Sequence, residues 1–412
     1  MALSIACLGC AAALGEPFLD LGSQPFANAL LRPEDAARPE PRFPLAVAYC
    51  ACCHLVQLTR TVEPEALFGE YVYFSSYSDH FLAHARDMAE ALVRRFTLGS
   101  RARVLEVASN DGYLLQFFQA RGVRVLGVEP ARNVAAVAQS RGIPTLPQFF
   151  GPDVVDAIVG DFGRADVLVG NNVLAHVPGI NAFLAAVGAC LAPYGAAVFE
   201  FPYLGDLLAR TAFDTIYHEH VFYYSVAAVV GLAARAGLEI FDVERQRVHG
   251  GSLRVFLQHA GARPVEPTVG RLADEECATG LTSATRYASF SHDVERLRGE
   301  LVSLLRRLRG EGRRLAAYGA PAKGTVLLNT CGIGTDLLEF TVDRSPHKQG
   351  RLVPGVRVPI RPPEDLLTEM PDFTLLLPWN LTDEIVQQQA AYLRKGGAFI
   401  VPVPSPRVIR SG

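Results

Sequence analysis

Residues 103–113 have the sequence RVLEVASNDGY, and this stretch decides the fold. RVLEVA is an apolar run typical of a buried strand, SNDG is rich in turn-forming residues, and the helical pattern YLLQFFQARG begins at its end. The next predicted strand, VRVLGVEP, includes Glu129, 17 residues after Gly112. A strand, a short polar loop and a helix in this order predict the first unit of a parallel sheet, which binds ligands at the carboxyl edge of its strands.

The same alternation extends along most of the chain. It predicts helices on both faces of a parallel sheet, closed by an antiparallel hairpin of LEIFDVERQ and GSLRVFLQH joined through RVHGG. After a long charged helix, a second, smaller alternating set begins at RLAAYGAP. We therefore predict two Rossmann-like α/β units preceded by a Cys-containing module. The predicted helices lie at 79–97, 113–122, 131–141, 179–191, 285–311 and 381–394, and strands include 165–171 and 196–202.

Composition excludes several classes of protein. The 412 residues carry a net charge of −3, so there is no basic footprint for nucleic acid and no polybasic membrane patch. No apolar run reaches the roughly 18–20 residues that span a bilayer. The first ten residues, MALSIACLGC, lack the charged and apolar regions of a signal peptide. We therefore expect a cytoplasmic protein that binds neither nucleic acid nor membranes.

Two Cys-x-x-Cys pairs near the start of the chain predict a metal site. Cys7 and Cys10 form one pair, Cys50 and Cys53 form the other, and 39 residues separate the pairs. In a reducing compartment this spacing favours a metal over disulfides, and four thiolates can complete a tetrahedral shell around Zn²⁺ with no open position. We predict a structural zinc site. Cys52 leaves the choice of partner at the second pair ambiguous, and the alternative is a set of unligated thiols.

The loop EVASNDG and the ends of the neighbouring strands predict a cofactor site. It lacks the full G-x-G-x-x-G pattern that cradles a pyrophosphate, which favours S-adenosylmethionine (SAM) over a dinucleotide, although a plain nucleotide or NAD fold remains the alternative. Glu129 is placed to bind both ribose hydroxyls, and Glu106 to orient the loop or meet the methionine ammonium group. The candidate cofactor residues are Glu106, Ala108, Ser109, Asn110, Gly112, Glu129, Asn171 and Asn172.

The segment IYHEHVFYYS, which begins at 216, predicts proton-transfer chemistry. Tyr217, His218, Glu219 and His220 follow one another. In an extended strand Tyr217 and Glu219 would share one face, whereas a turn would group the four side chains differently. A neutral His is the natural base near pH 7, and Tyr can donate to a developing enolate oxygen. The alternatives are a polar surface loop and a metal site of His218, Glu219 and His220.

Three further motifs contain candidate site residues. His176, in NNVLAHVP, lies at the predicted sheet edge, where it is either part of the site or a histidine at a helix start. The segment YVYFSSYS (71–78) carries Tyr71, Tyr73, Ser75 and Ser76, which suit a sugar or a domain interface. In AYGAPAKG (317–324), Lys323 adds a charge to a strand-to-helix loop that could bind phosphate.

Taken together, these motifs resemble one family. CLGC with CACC, GEYVYFSSYS, EVASNDGYLL, GNNVLAHVP, DTIYHEHVFYYS, VHGGSLRVF and AYGAPAKGTVLLN are similar to the zinc-containing, SAM-dependent C-methyltransferases of nucleotide-linked deoxysugars. The resemblance covers essentially the whole chain. It implies a zinc-binding module at 1–78, a SAM-binding Rossmann-like domain at 79–262 and a second Rossmann-like domain at 263–412 that helps to hold the sugar nucleotide.

The resemblance also implies an activity and the residues that carry it. The substrate would be a 4-keto-deoxyhexose, commonly carried on dTDP, which loses a proton next to the ketone and accepts the methyl group, most often at C3. His220 would be the base, Tyr217 and Glu219 would support it and the enolate, and His176 and Tyr71 would line the site. Tyr73, Ser75, Ser76 and Lys323 would contact the substrate. A sugar O- or N-methyltransferase and a non-catalytic zinc and SAM scaffold are the alternatives. The oligomeric state is open, with a monomer plausible.

Overall fold

The computed structural model describes residues 5–62, 76, 79–246 and 250–411, which form three β-sheets. The fold is α/β, as predicted, and the Cys-containing module precedes the two Rossmann-like units. No helix in the described ranges is both long enough and apolar enough to cross a membrane. The domain boundaries proposed from the sequence, at 78/79 and 262/263, stay predictions.

The first sheet belongs mainly to the N-terminal module. It comprises β1 (Leu19–Gln24), β2 (Phe43–Tyr49) and β3 (Val56–Leu58), all antiparallel. Its fourth strand is Phe222–Tyr223, which directly follows the IYHEHV segment and pairs with β3 through Val56 opposite Tyr223. The module is therefore joined by backbone pairing to the segment that carries the candidate base.

The second sheet is the Rossmann-like core of the central region. Its first strand, β4 (Arg103–Val107), has four buried residues of five and lies between β5 (Arg124–Val128) and β7 (Ala165–Asn171), both parallel to it. Beyond β7 lie Leu191–Pro202, Ser252–His259 and Leu238–Gln246, and beyond β5 lies Thr145–Leu146, so the strand order reverses at β4. Ser252–His259 is antiparallel to both of its neighbours, as the predicted hairpin requires. Ligands bind in such folds at the carboxyl ends of the strands next to this reversal.

The remaining elements of the central region fit the alternation read from the sequence, and we number them in chain order. The strands are β6 (Thr145–Leu146), β8 (Leu191–Pro202), β9 (Phe222–Tyr223), β10 (Leu238–Gln246) and β11 (Ser252–His259). The helices are α1 (Asp79–Phe96), α2 (Leu115–Gln119), α3 (Arg132–Ser140), α4 (Pro152–Ala157), α5 (Ile180–Cys190), α6 (Leu204–Ala209) and α7 (Val226–Arg235).

The third sheet forms the C-terminal unit. Its strand order is β14-β13-β12-β15-β16-β17, which reverses at β12. The last strand is antiparallel to its neighbour. The strands are β12 (Leu315–Tyr318), β13 (Thr341–Val342), β14 (Ile360–Arg361), β15 (Phe373–Leu376), β16 (Ala398–Val401) and β17 (Arg407–Ile409). The helices from here on are α8 (Pro267–Ala278), α9 (Ala284–Gly310), α10 (Ala322–Cys331), α11 (Asp365–Glu369), α12 (Thr382–Gln388) and α13 (Ala390–Arg394).

Two predicted helices differ from those observed. The helix expected over 113–122 is confined to α2, because Ala120 to Gly122 form a turn that leads directly into β5. The helix expected over 381–394 is divided at Gln389, whose φ of −101° and ψ of 23° interrupt the α-helical backbone. At the first place the turn needed to enter β5 overrides local helical propensity, whereas at Gln389 the chain resumes as a second helix.

Candidate functional site

The four predicted metal ligands lie together. One ligand atom from each of Cys7, Cys10, Cys50 and Cys53 lies within 4.8 Å of the others. The sulfur atoms of Cys7 and Cys53 are 3.5 Å apart, as are those of Cys10 and Cys50. A tetrahedral zinc with Zn–S bonds of about 2.3 Å would place its sulfurs about 3.8 Å apart. The donor set and its spacing therefore fit Zn²⁺, with no fifth protein ligand in the described part of the chain.

The two Cys pairs sit on matching turns, which resolves the ambiguity over Cys52. In each, the residue after the second Cys has positive φ, 62° at Ala11 and 60° at His54, and its N–H donates over 2.8 Å to the carbonyl of the first Cys. Cys50 and Cys53 are buried, whereas Cys52 is exposed. The hydrogen bond between Cys7 and Cys53 lowers the pKa of Cys7 to about 5 and raises the pKa of Cys53, so the proton of this pair rests on Cys53.

All predicted cofactor residues lie at the carboxyl edge of β4, β5 and β7. The loop after β4 alternates through left-handed conformations, with φ of 52° at Ala108, 48° at Asn110 and 79° at Gly112. At Gly112 an added Cβ would also lie 2.9 Å from the Ile143 side chain, so glycine is required there. The loop brings the backbone close to the reversal point of the sheet, as a bound nucleoside would need.

Glu129 holds this loop in place. One of its carboxylate oxygens accepts a hydrogen bond from the Asn110 N–H over 3.0 Å, and the other accepts from the Ala131 N–H over 2.8 Å. Each oxygen keeps a second lone pair, so the carboxylate retains the capacity to accept from ribose hydroxyls. Burial raises the pKa of Glu129, and the two N–H donors oppose that shift.

Glu106 provides the observation that tests whether SAM fits. Its side chain is fully buried at the end of β4, and neither carboxylate oxygen makes a hydrogen bond of good geometry among the described residues, although the Tyr113 hydroxyl and the Leu115 N–H lie near enough to oppose the rise of its pKa. Burial, followed by the charge of Glu129, raises its pKa well above the ordinary value. A buried carboxylate in this state gains most from a cation. The ammonium group of SAM meets that requirement, and the pocket therefore fits this cofactor.

The asparagines after β7 complete the cofactor edge. Asn171 donates from Nδ2 to the Tyr113 hydroxyl over 3.2 Å. Asn172 adopts a φ of 55°, and its N–H donates to the Glu200 carbonyl over 2.7 Å. The Tyr113 ring stacks on Phe81 of α1, with ring centroids 5.0 Å apart. Helix α1 thus packs against the predicted cofactor residues, a contact that its helical pattern did not reveal.

The candidate proton-transfer residues lie on a turn rather than on an extended strand. The His220 N–H donates to the Tyr217 carbonyl over 2.9 Å, and this turn brings the two side chains together. Their ring centroids are 4.0 Å apart, and the Tyr217 hydroxyl is 2.8 Å from His220 Nε2. The extended arrangement, which would have placed Tyr217 and His220 on opposite faces, is therefore wrong.

The hydrogen bonds of His220 define its tautomer. Its Nδ1 lies 3.0 Å from the carbonyl oxygen of Thr215. A carbonyl only accepts, so Nδ1 carries the proton and donates. In the neutral ring Nε2 then holds the lone pair and accepts from the Tyr217 hydroxyl. This is the arrangement that a general base requires.

His176 lies next to His220 and stays neutral. Its Nδ1 donates to the carbonyl of Glu219 over 2.6 Å, and the two imidazole centroids are 5.0 Å apart. Burial lowers the pKa of His176 to about 4, and the hydrogen bond to Glu219 opposes the shift. A neutral neighbour does not oppose the positive charge that His220 would gain on taking up a proton.

The other two residues of the turn face the N-terminal module. His218 Nε2 donates to the Phe43 carbonyl over 3.2 Å, and its ring packs edge-on against Phe26. Glu219 is buried and accepts from Asn28 Nδ2 over 2.7 Å. Burial raises the pKa of Glu219, and the Asn28 amide opposes that shift. Since His218 and His220 face different surroundings, the turn is not a two-histidine metal site.

Ser76 lies beside the cofactor loop. Its hydroxyl donates to the Asp111 carboxylate, which also forms a 3.0 Å ion pair with Arg141. The proposed role of Ser76 in substrate binding stays a prediction. Tyr71, Tyr73 and Ser75 lie outside the described residues.

Lys323 lies at the first turn of α10, at the strand reversal of the C-terminal sheet. Its ammonium group donates to Asn380 Oδ1 and lies 4.3 Å from the centroid of the Trp379 ring. Burial lowers its pKa to about 8, and the charge of Asp214 opposes the shift. Lys323 therefore faces the segment that leads into the His220 turn, and its substrate contact stays a prediction.

A buried charged group next to the site escaped the sequence reasoning. Glu200, near the end of β8, accepts from His84 over 2.8 Å and from Arg254 over 2.9 Å. Its pKa is lowered, because these two partners outweigh the effect of burial. Glu200, His84 and Arg254 come from a strand, a helix and a hairpin far apart in sequence, so no local spacing could have indicated them.

Comparison with known proteins gives the class. Residues 7–68 match the family described as "Putative zinc binding domain", residues 79–243 match "Methyltransferase domain", and residues 247–404 match "C-methyltransferase C-terminal domain". The C-methyltransferase NovU of Streptomyces niveus is 41% identical over 392 residues, covering 95% of this chain and 93% of the relative. This chain therefore belongs to the zinc-containing C-methyltransferase family. It is a SAM-dependent enzyme, and the Cys cluster is its zinc site.

Solved structures resemble part of the chain. The glycopeptide N-methyltransferase MtfA, complexed with sinefungin, is 14% identical and covers 43% of this chain and 87% of its own, with a TM-score of 0.34. A SAM-dependent methyltransferase from Anabaena variabilis is 13% identical, and the match covers 41% of this chain and 82% of that protein, also with a TM-score of 0.34. Family membership rests on the sequence relative and the family matches instead.

Proposed function

We propose that this enzyme methylates carbon next to the ketone of a nucleotide-linked 4-keto-deoxyhexose, carried on dTDP and methylated at C3. The observation that carries the proposal is the placement of His220, whose Nδ1 lies 3.0 Å from the Thr215 carbonyl oxygen and whose Nε2 lies 2.8 Å from the Tyr217 hydroxyl. A C–H bond next to a ketone needs a base of this kind and a donor for the enolate oxygen.

The residues divide the reaction between them. His220 Nε2 takes the proton from carbon, and the electron pair of the broken C–H bond moves into the enolate, whose oxygen the Tyr217 hydroxyl can stabilise. Glu106 and Glu129 would hold SAM, which would supply the electrophilic methyl group that the enolate carbon accepts, with S-adenosylhomocysteine as the leaving product. Neutral His176 leaves the new imidazolium unopposed. The proton on His220 then returns to solvent.

The placement of the C-terminal unit supports a nucleotide-linked substrate. Its strand reversal, where ligands bind in such sheets, holds Lys323, and α10 packs against residues 213–215 of the catalytic segment. A substrate whose phosphates met Lys323 could extend its sugar toward His220. The nucleotide, the sugar and the C3 position come from the family resemblance. A cytoplasmic location and a monomer stay our expectations.

Hydrogen exchange tests the base directly. Purified enzyme is incubated in deuterated water with a panel of dTDP-4-keto-deoxyhexoses and no SAM, and NMR follows exchange of the proton next to the ketone. We expect exchange without SAM, and one added methyl on that carbon when SAM is present. Methyl on oxygen or nitrogen would contradict the enolate mechanism. Binding of SAM without exchange or product across the panel would favour the non-catalytic scaffold.

A pair of variants assigns the base. His220→Asn should abolish exchange and turnover while SAM affinity, measured by calorimetry, stays within about twofold of wild type. His259→Asn, which changes a histidine at the end of β11, is the control and should leave all three unchanged. Loss of SAM binding in His220→Asn would show that the turn is structural rather than catalytic.

A further inference from the structure

Asp214 is a buried carboxylate that the proposed reaction does not use. It lies on the 3₁₀ turn Phe213–Thr215, immediately before the residue whose carbonyl holds His220, and its side chain is fully buried. Oδ2 accepts a hydrogen bond from Trp379 Nε1 over 2.7 Å, across 165 residues of sequence. Oδ1 is buried and has no hydrogen-bond partner among the residues the structure describes. A buried carboxylate oxygen without a hydrogen bond lowers the stability of the fold.

The C-terminal unit surrounds this carboxylate with favourable charge. The ammonium group of Lys323 lies over the Trp379 ring and bonds to Asn380, the residue next to that tryptophan. Burial raises the pKa of Asp214 to about 6, and the charge of Lys323 opposes that rise. Asp214 in turn opposes the fall of the Lys323 pKa, which stands at about 8. Both groups are therefore charged between about pH 6 and pH 8. They do not form a direct ion pair.

The same turn fixes the candidate base. The Thr215 carbonyl accepts from His220 Nδ1 over 3.0 Å, so any movement of the turn moves the acceptor that sets the tautomer. Phe213 is also fully buried, and residues 213–215 pack against α10. The backbone position of Thr215 is thus set by contacts with the C-terminal unit as well as by its own domain.

We propose that Asp214 and Trp379 are positioning residues, through which the C-terminal unit fixes the orientation and tautomer of His220. This inference rests on the proposed role of His220. The C-terminal unit then does more than bind substrate, because it completes the geometry of the base. If the Asp214–Trp379 contact is lost, the 3₁₀ turn loosens, the Nδ1–H tautomer loses its acceptor, and part of the His220 population places its proton on the nitrogen that should be free.

Two variants and a control test this. Trp379→Phe removes the N–H donor and keeps an aromatic ring, and Asp214→Asn removes the charge at nearly the same volume. The control is Tyr392→Phe, which removes a buried hydroxyl that donates to the Pro371 carbonyl over 2.8 Å in the same unit. The readouts are the ring ¹⁵N shifts of His220, assigned by comparison with His220→Asn, SAM affinity, and deuterium exchange into the panel sugars.

We expect both variants to shift His220 toward a tautomer mixture and to slow exchange about tenfold or more, with SAM affinity unchanged. Tyr392→Phe should lower thermal stability and alter none of the three readouts. An unchanged tautomer in Trp379→Phe, which is the milder change, overturns the proposal, as does a changed tautomer with an unchanged exchange rate. Wild type that exchanges no panel sugar would count against the proposed function, whereas the ¹⁵N shifts would still decide the positioning role.

Discussion

Replacing single cysteines at the N-terminal cluster should distinguish the zinc ligand Cys50 from the nearby Cys52, which is not a predicted ligand. Cys50→Ser removes one thiolate of the buried four, whereas Cys52→Ser makes the same chemical change two residues away at an exposed thiol. Both variants replace one cysteine by serine in the same turn, so they share most effects that are unrelated to the metal. We expect Cys50→Ser to lose zinc and stability, and Cys52→Ser to keep both.

The size of the effect follows from the geometry. Structural zinc contributes about 10–16 kcal/mol of apparent binding free energy in small domains, or about 2.5–4 kcal/mol for each of four ligands. Leaving a serine hydroxyl in a buried position costs about 1–3 kcal/mol more. The sum, about 3.5–7 kcal/mol, approaches the whole stability of an ordinary domain. Cys50→Ser should therefore lower the midpoint of thermal unfolding by roughly 10 °C or more.

The damage should also reach the catalytic turn. Strand β3 of the module pairs with β9, and the Leu58 N–H donates to the Val221 carbonyl over 2.8 Å. Zinc content by mass spectrometry, thermal unfolding by circular dichroism and the exchange assay would be measured on all samples. A full complement of zinc in Cys50→Ser with an unchanged unfolding midpoint, or loss of zinc from Cys52→Ser, would refute the assignment of ligands.

Three further changes test the site. Glu106→Gln should raise the unfolding temperature of the SAM-free enzyme at neutral pH, because the raised pKa of the buried carboxyl costs stability that a neutral amide does not, yet weaken SAM binding at least tenfold by calorimetry; weaker binding without stabilisation would leave the carboxylate unassigned to the ammonium. Asn28→Ala should cost about 1–3 kcal/mol in chemical denaturation by stripping Glu219 of its donor, and an effect below about 0.5 kcal/mol would show that solvent replaces the amide. His176 stays neutral in the fold down to about pH 4, while the unfolded chain takes up its proton near pH 6.5, so the free energy of unfolding should fall as pH drops through this window. The loss of unfolding free energy is about 3 kcal/mol. It should be absent in His176→Asn, and equal slopes of unfolding free energy against pH in the two proteins would contradict the lowered pKa of His176.

The sequence by itself determined the class and the location of most of the chemistry. Cys-x-x-Cys spacing predicts a tetrahedral thiolate site, and alternating strands and helices with a polar loop after the first strand predict a nucleoside site at the carboxyl edge. These signals are local, since ligand spacing and hydrophobic period are written in consecutive residues. The four cysteines accordingly lie together, and the residues predicted to bind the cofactor share one edge of the sheet.

Only the tertiary structure decided how the candidate base is held. The turn that joins Tyr217 to His220 depends on the pairing of the following strand with the N-terminal sheet, and no period of the sequence distinguishes that turn from an extended strand. Glu219 meets Asn28 across 191 residues, and Asp214 meets Trp379 across 165. Such partners are selected by the packing of three units around one turn, which is a long-range property that local propensity and spacing do not encode.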